Sequence, residues 1–246
     1  MTAPVFVVEH FDAGGGGRYV LDGPEGRHAV SVKRLRAGED VVLTDGAGRW
    51  ADCVVLGTEG KDRLILQLDS VSEEPAEQPR VTVVQALPKG DRGELAVETM
   101  TEVGVDAIVP WAATRCITQW KGDRGVKALG KWRATAREAG KQSRRVRFPE
   151  VAEAATTRQV AALLAGAEFA AVLHESGDTP LATADLPATG EIVLVVGPEG
   201  GVAPEELALF EEAGAQAYRL GRSVLRTSTA GTAAAAVLLA RTGRWS

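Results

Sequence analysis

From Arg80 to the C-terminus the sequence alternates short apolar runs with longer segments of helical period, and that alternation leaves few folds open. The runs are Val81–Leu87, Ala107–Trp111, Glu168–Leu173, Ile192–Val196 and Ala217–Leu220. Each is too short for a stable helix and too continuously apolar for a strand with one wet face. Between and after them, Gly93–Val103 spaces Leu95, Val97, Met100 and Val103 as one helical stripe. Val126–Gly140, Ala203–Ala213 and Thr229–Ala240 also read as helices. Strands buried on both faces and alternating with helices predict an α/β domain around a parallel sheet.

The first 70 residues follow a different rule. Val5–Val8, Asp40–Thr44, Ala51–Leu56 and Arg63–Leu68 read as strands, and Asp45-Gly46-Ala47-Gly48 supplies a turn. Pro24–Leu35 reads as a short helix, and Gly14–Gly17 as a loop tip. Ser70–Arg80 is acidic, holds two prolines and lacks periodicity, so it reads as a linker. The expected division is a β-rich domain over 1–72 and an α/β domain over 80–246.

Charge points to a partner. The net charge is −5, yet Arg115–Arg147 carries 11 Lys/Arg against only Asp123 and Glu138, a local +9. A basic segment in an acidic chain predicts contact with phosphates, with Lys127, Lys131, Arg133, Arg137, Lys141, Arg144, Arg145 and Arg147 along a helix and the loop after it. The N-terminus lacks the basic flank and apolar core of a secretory leader, and no run approaches the length of a membrane span. Cys53 and Cys116 are the two cysteines, which suits a reducing cytoplasm and excludes a Cys-rich zinc site. No metal and no membrane are expected. Trp111, Trp120 and Trp132 lie in or beside the basic segment and could stack on a flipped base, but core packing is the favoured expectation for them, as for both thiols.

Two loops carry the chemistry. The strand ending at Val196 runs into Gly197-Pro198-Glu199-Gly200-Gly201, and a helix follows with Pro204, Glu205 and Glu206 at its start. The strand ending at Leu220 runs into Gly221-Arg-Ser-Val-Leu-Arg226-Thr-Ser-Thr-Ala230. Ligands of open α/β sheets bind at the carboxyl ends of strands, and glycines let them approach the backbone. By themselves, the first loop could equally be a plain turn, and Thr227, Ser228 and Thr229 could simply cap a helix. Arg226, set between Leu225 and the helix start, suits an anion. Neither loop matches a Walker A or a GxGxxG pattern.

The pair LVVGPEGG and LGRSVLRTSTA resembles the C-terminal signature of the 16S rRNA (uracil-N3)-methyltransferase family, in the SPOUT superfamily of knotted methyltransferases. Glu102-Val-Gly-Val-Asp106, Arg115-Cys116 and Gln142-Ser-Arg-Arg-Val-Arg-Phe-Pro149 are similar to other family segments, and His28, Arg34 and Asp45-Gly46 to its N-terminal PUA-like domain. The resemblance implies a C-terminal trefoil knot, a homodimer, S-adenosyl-L-methionine as cofactor, and 16S rRNA of the small ribosomal subunit as partner. It places the donor on Leu173, His174, Gly197, Pro198, Glu199, Gly200, Gly201, Leu220, Gly221, Val224, Leu225 and Arg226. It assigns RNA contacts to His28, Arg34, Arg115, Lys141, Arg144, Arg145 and Arg147. Where the family often has Glu after Leu-Arg-Thr, this chain has Ser228; where it often has an early Arg, this chain has Pro4-Val5-Phe6-Val7.

The implied reaction is methylation of uracil N3 in the cytoplasm, with Arg226 as the catalytic residue. Guanidinium stays protonated, so Arg226 would stabilise charge on the uracil oxygens rather than remove the proton. Two other readings stand beside it: a SPOUT enzyme acting on another RNA position, and a non-catalytic RNA-binding ribosome-assembly protein. A pseudouridine synthase would need a Gly-Arg-x-Asp segment, which the sequence lacks.

Overall fold

The structure is a computed structural model and describes residues 3–11 and 17–246. It divides into two compact units, one of Met1–Ala76 with Gly140–Phe148, the other of Glu77–Ala139 with Pro149–Ser246.

The first unit is built on β1 (Val5–Val7), β2 (Gly17–Leu21), β3 (Asp40–Thr44), β4 (Arg49–Glu59), β5 (Arg63–Leu68) and β6 (Ser72–Glu73). The order is β1-β3-β4-β5-β2, with β6 beside β4; β1 runs parallel to β3 and the other pairs are antiparallel. In β4 the buried Ala51, Cys53 and Val55 alternate with the exposed Asp52, Val54 and Leu56, the period-2 signature of a one-sided core. Phe6, Leu43, Leu64 and Leu66 fill that core. β2 and β6 escape the sequence reading, and β6 lies inside the expected linker. Gly14, Gly15 and Gly16 of the expected loop tip lie outside the described residues, and Gly17 opens β2.

One expected element is corrected. Pro24–Leu35 is not a single α-helix: α1 (Gly23–Arg27) passes into a π-helix, His28–Val32. Lys33 N donates to His28 O at 2.9 Å, five residues back. The wider turn keeps Ala29 fully buried while Val32 is 67% exposed. Over five residues, apolar spacing does not distinguish such a turn from an α-turn.

The second unit holds β7 (Arg80–Ala86), α2 (Arg92–Val103), β8 (Ala107–Trp111), most of α3 (Gly122–Gln142), β9 (Glu150–Val151), α4 (Thr157–Ala165), β10 (Phe169–Leu173), β11 (Thr179–Pro180), β12 (Glu191–Val196), α5 (Pro204–Glu212), β13 (Gln216–Arg219) and α6 (Thr227–Arg241). All seven strands are parallel, in the order β11-β13-β10-β12-β7-β8-β9. Every residue of β8 and nearly every residue of β7 and β12 is buried, as a sheet covered on both faces requires. α6 packs on α2, β7 and β12, while α4 packs on α5 and β10. The sequence reading missed α4, although Thr156 and Gln159 form a capping box at its start.

Trp111 and Trp132 are core residues, 0% and 3% exposed, and Trp120 packs edge-on against Trp132 with centroids 5.0 Å apart. Both thiols are buried; burial, then the charges of Asp52 and Asp69, push Cys53 up to about 12.

Candidate active site

The strand order forces the loops of interest together. β13 and β7 are separated by β10 and β12. α6 nevertheless starts beside β7, where Gln85 Nε2 donates to Thr227 O at 3.3 Å. Residues 220–226 therefore cross the carboxyl ends of β10 and β12. Three strand spacings amount to about 14 Å, well within the roughly 23 Å that seven extended residues reach. At the same edge of the sheet stand Leu173, the last residue of β10, with His174 after it, and the loop after β12, Gly197–Gly201. All twelve donor-site residues of the sequence reading thus lie at the carboxyl end of β10 or on the three loops at one edge of one sheet, where α/β proteins bind ligands.

Each loop is fixed differently. His174 N donates to Tyr218 O at 3.0 Å, extending the β10–β13 pairing. Ser176 N donates to His174 Nδ1 at 3.2 Å, which makes Nδ1 an acceptor and leaves the proton of a neutral ring on Nε2. In the second loop, Gly201 N donates to Pro198 O at 2.9 Å and Gly201 has φ +73°, a turn that favours glycine. Arg115 Nη1 donates to Gly200 O at 3.1 Å, and Glu199 Oε1 accepts from Lys89 N at 3.2 Å. Arg115, predicted for RNA, is therefore brought onto the glycine loop.

Glu206 anchors the floor beneath this loop. It is 4% exposed, and its carboxylate accepts from Ala203 N, Thr114 N, Thr114 Oγ1 and Thr157 Oγ1 at 2.8–3.1 Å. One buried carboxylate thereby ties the starts of α4 and α5 to the loop after β8. The sequence suggested only that Glu206 suits a helix N-terminus; its tertiary partners are more than 45 residues away.

The third loop is held least. None of the backbone N–H groups of residues 220–226 donates to a protein acceptor among the described residues. Val224 is 83% and Leu225 40% exposed, and a Cβ added at Gly221 would meet open space. Unspent main-chain donors beside apolar side chains suit an adenosine, whose ring nitrogens accept hydrogen bonds and whose faces are apolar. The residues present fit S-adenosylmethionine.

Arg226 is the N-cap of α6, and its carbonyl accepts from Thr229 N and Ala230 N at 2.9 Å. Its guanidinium is exposed and has no partner among the described residues. A cation at the positive end of a helix dipole disfavours the helix. Ser228, in the first turn of α6, is only 2% exposed.

Besides Arg115, the structure redirects two of the predicted RNA contacts. Lys141 is 6% exposed, and its Nζ donates to Glu25 Oε1 and Oε2 at 3.0 and 3.1 Å. A lysine buried at that depth survives only with such a partner, so it is spent inside the first unit. Arg147 Nη2 donates to Glu74 O at 2.7 Å, and the side chain is half-buried. Arg144, exposed with φ +59°, and Arg34, exposed with φ +56°, remain open; Arg145 and His28 are half-buried. On α3 the exposed Arg124, Lys127 and Lys131 share a face, while Arg133 is held by Glu153 and Val151 O.

Residues 75–239 match the RNA methyltransferase domain family, and residues 21–69 the RNA methyltransferase PUA domain family. The chain is 47% identical over 232 residues to the ribosomal RNA small subunit methyltransferase E of Mycobacterium tuberculosis, covering 92% of this chain and 87% of that one. It is 28% identical over 220 residues to the Bacillus subtilis protein of the same name, covering 86% of each. Among solved structures, a ribosomal RNA small subunit methyltransferase E from Neisseria gonorrhoeae bound to S-adenosyl methionine superposes with a TM-score of 0.85 at 30% identity, covering 98% of both chains.

Proposed function

The chain belongs to the ribosomal RNA small subunit methyltransferase E family, S-adenosylmethionine-dependent enzymes of ribosomal RNA, and on that premise we propose that it methylates N3 of one uridine of 16S rRNA. The observation that carries the reading is the exposed, unpartnered Arg226 on the loop that crosses the donor edge of the sheet.

When bound, the donor supplies an activated methyl group. The chain positions and polarises the acceptor. Residues 220–225 offer main-chain donors to the adenosine, with Leu173, His174 and Gly197–Gly201 forming the opposite walls. Arg226 donates to the uracil oxygens as charge grows on the imide, and water or an RNA group takes the proton. Holding the two reactants in line supplies much of the remaining acceleration. Arg115, Arg144, Arg145 and the Lys127–Lys131 face carry phosphates and set orientation without reading sequence. In this reading the crossing of residues 220–226 is part of a trefoil knot, two copies form a homodimer, and the protein works in the cytoplasm on the small subunit.

The test is single-turnover methylation of small ribosomal subunits with labelled donor, followed by identification of the modified nucleoside. Label on N3 of uridine is expected. Arg226→Ala should lose about 100-fold or more in rate, with donor affinity measured separately so that lost binding is not mistaken for lost chemistry. Near-normal methylation by the variant would remove Arg226 from the mechanism. Donor binding without transfer by the parent protein would favour a non-catalytic assembly role.

A further inference from the structure

A cavity of about 490 Å³ opens in the first unit, lined by Gly23, Pro24, Arg27, His28, Val32 and Asp62. We propose that it is a subsite for one unpaired guanine of the RNA, an inference that rests on the RNA substrate proposed above.

The cavity is framed by α1 and its π-helix on one side and the β4–β5 turn on the other. The two are pressed together: a Cβ at Gly26 would lie 2.2 Å from Asp62 O and 2.4 Å from Leu21 O, so only glycine fits. Ser31 Oγ donates to Lys61 O at 2.7 Å and closes the same seam. The walls are therefore fixed by main-chain packing, and the side chains facing the cavity are left over from it. Arg27, His28 and Asp62 make no side-chain hydrogen bond or ion pair among the described residues. His28 is held by Phe6, with ring centroids 6.0 Å apart and planes at 77°. π-Helical turns of this kind recur at functional sites.

Three unspent polar groups beside Pro24 and Val32 define the ligand. Pro24, Val32 and the imidazole offer apolar and aromatic surface for a base. Arg27 supplies a cation for a phosphate. From Arg27 to Arg36 the chain has Arg27, Lys33, Arg34 and Arg36 and no acidic residue, although residues 1–75 as a whole are acidic. Asp62, the one carboxylate among these lining residues, selects the base. A carboxylate pairs with two adjacent donors, and guanine presents N1–H and N2–H side by side. Adenine and cytosine offer one donor next to an acceptor, and the uracil N3–H is flanked by oxygens that repel a carboxylate.

The test is fluorescence anisotropy on the full-length protein with three short oligouridine RNAs that carry one central guanosine, inosine or adenosine. The guanosine oligonucleotide should bind about tenfold tighter than the adenosine one, with inosine between, since it lacks the N2 donor. Asp62→Asn, on an exposed turn, should abolish that ranking. Arg27→Ala should weaken all three alike and flatten the salt dependence. Equal binding of the three by the parent protein, or an unchanged ranking in Asp62→Asn, overturns the subsite. Free GMP competing as well as the guanosine oligonucleotide also overturns it in favour of a nucleotide site. If ranking is absent but small subunits are still methylated, the subsite alone falls. If no RNA binds and no subunit is methylated, the RNA reading falls with it.

Discussion

At the scale of single residues, Glu206 shows how a side chain can matter to the site without touching ligand. Its four donors come from three segments, and removing the carboxylate leaves them unsatisfied at a site that is 4% exposed. Glu206→Ala should destabilise the protein by about 3 kcal/mol, read as a drop in the urea midpoint, and should weaken donor binding as the glycine loop loses its floor. An unchanged midpoint would show that water replaces the carboxylate at little cost. Lys141 and Arg226 make the complementary point. Both are cations in a sequence that suggests phosphate binding, yet one is buried on Glu25 and the other is exposed without a partner among the described residues. Charge is written in the sequence; whether a charge is spent internally depends on contacts 116 residues apart.

At the scale of elements, α6 is held at both ends. Its start rests on Gln85, and its far end is pinned by Arg244, which donates to Asp106 at 2.5 and 3.1 Å and to Glu77. The Arg244 side chain is 5% and the Asp106 side chain 12% exposed, so the pair is buried. Arg244→Ala should cost about 3 kcal/mol by leaving Asp106 without its partner. Thermal unfolding checks this, and a loss near zero would mean that Asp106 is satisfied by Val81 N and water alone. Helix and strand identities were legible in β7, β8, β12, α2 and α5, where an apolar run or stripe is continuous, but not in β2 or α4. The π-helix at His28 and the short β6, β9 and β11 were not, because two to five residues carry too little periodicity and their partners lie elsewhere in the chain.

At the scale of the molecule, the proposed dimer has a physical candidate in the second unit. Leu95 is 45% exposed on α2, and Thr99 Oγ1 meets Thr232 Oγ1 of α6 at 2.6 Å, beside the half-buried small residues Ala233 and Ala236. Sedimentation should give twice the chain mass at micromolar concentration, and Leu95→Glu should shift the protein toward monomer; a parent protein that sediments as a monomer would sink the dimer. The sequence by itself determined the layer architecture of the second unit, because strands buried on both faces must be continuously apolar and helices must carry a stripe. It also marked the two glycine- and arginine-bearing loops, because their residue types are unusual after a strand. Tertiary structure decided that these loops share one edge of the sheet. It did so through strand order: β10 and β12 lie between β13 and β7, α6 returns to β7, and the connection must cross the ligand edge. It also decided that Gly140–Phe148 folds with the first unit, through Lys141 on Glu25 and Thr44 Oγ1 against Val146 O at 2.8 Å. Local pattern reports which faces want burial, but which partner buries them is set by contacts far apart in sequence.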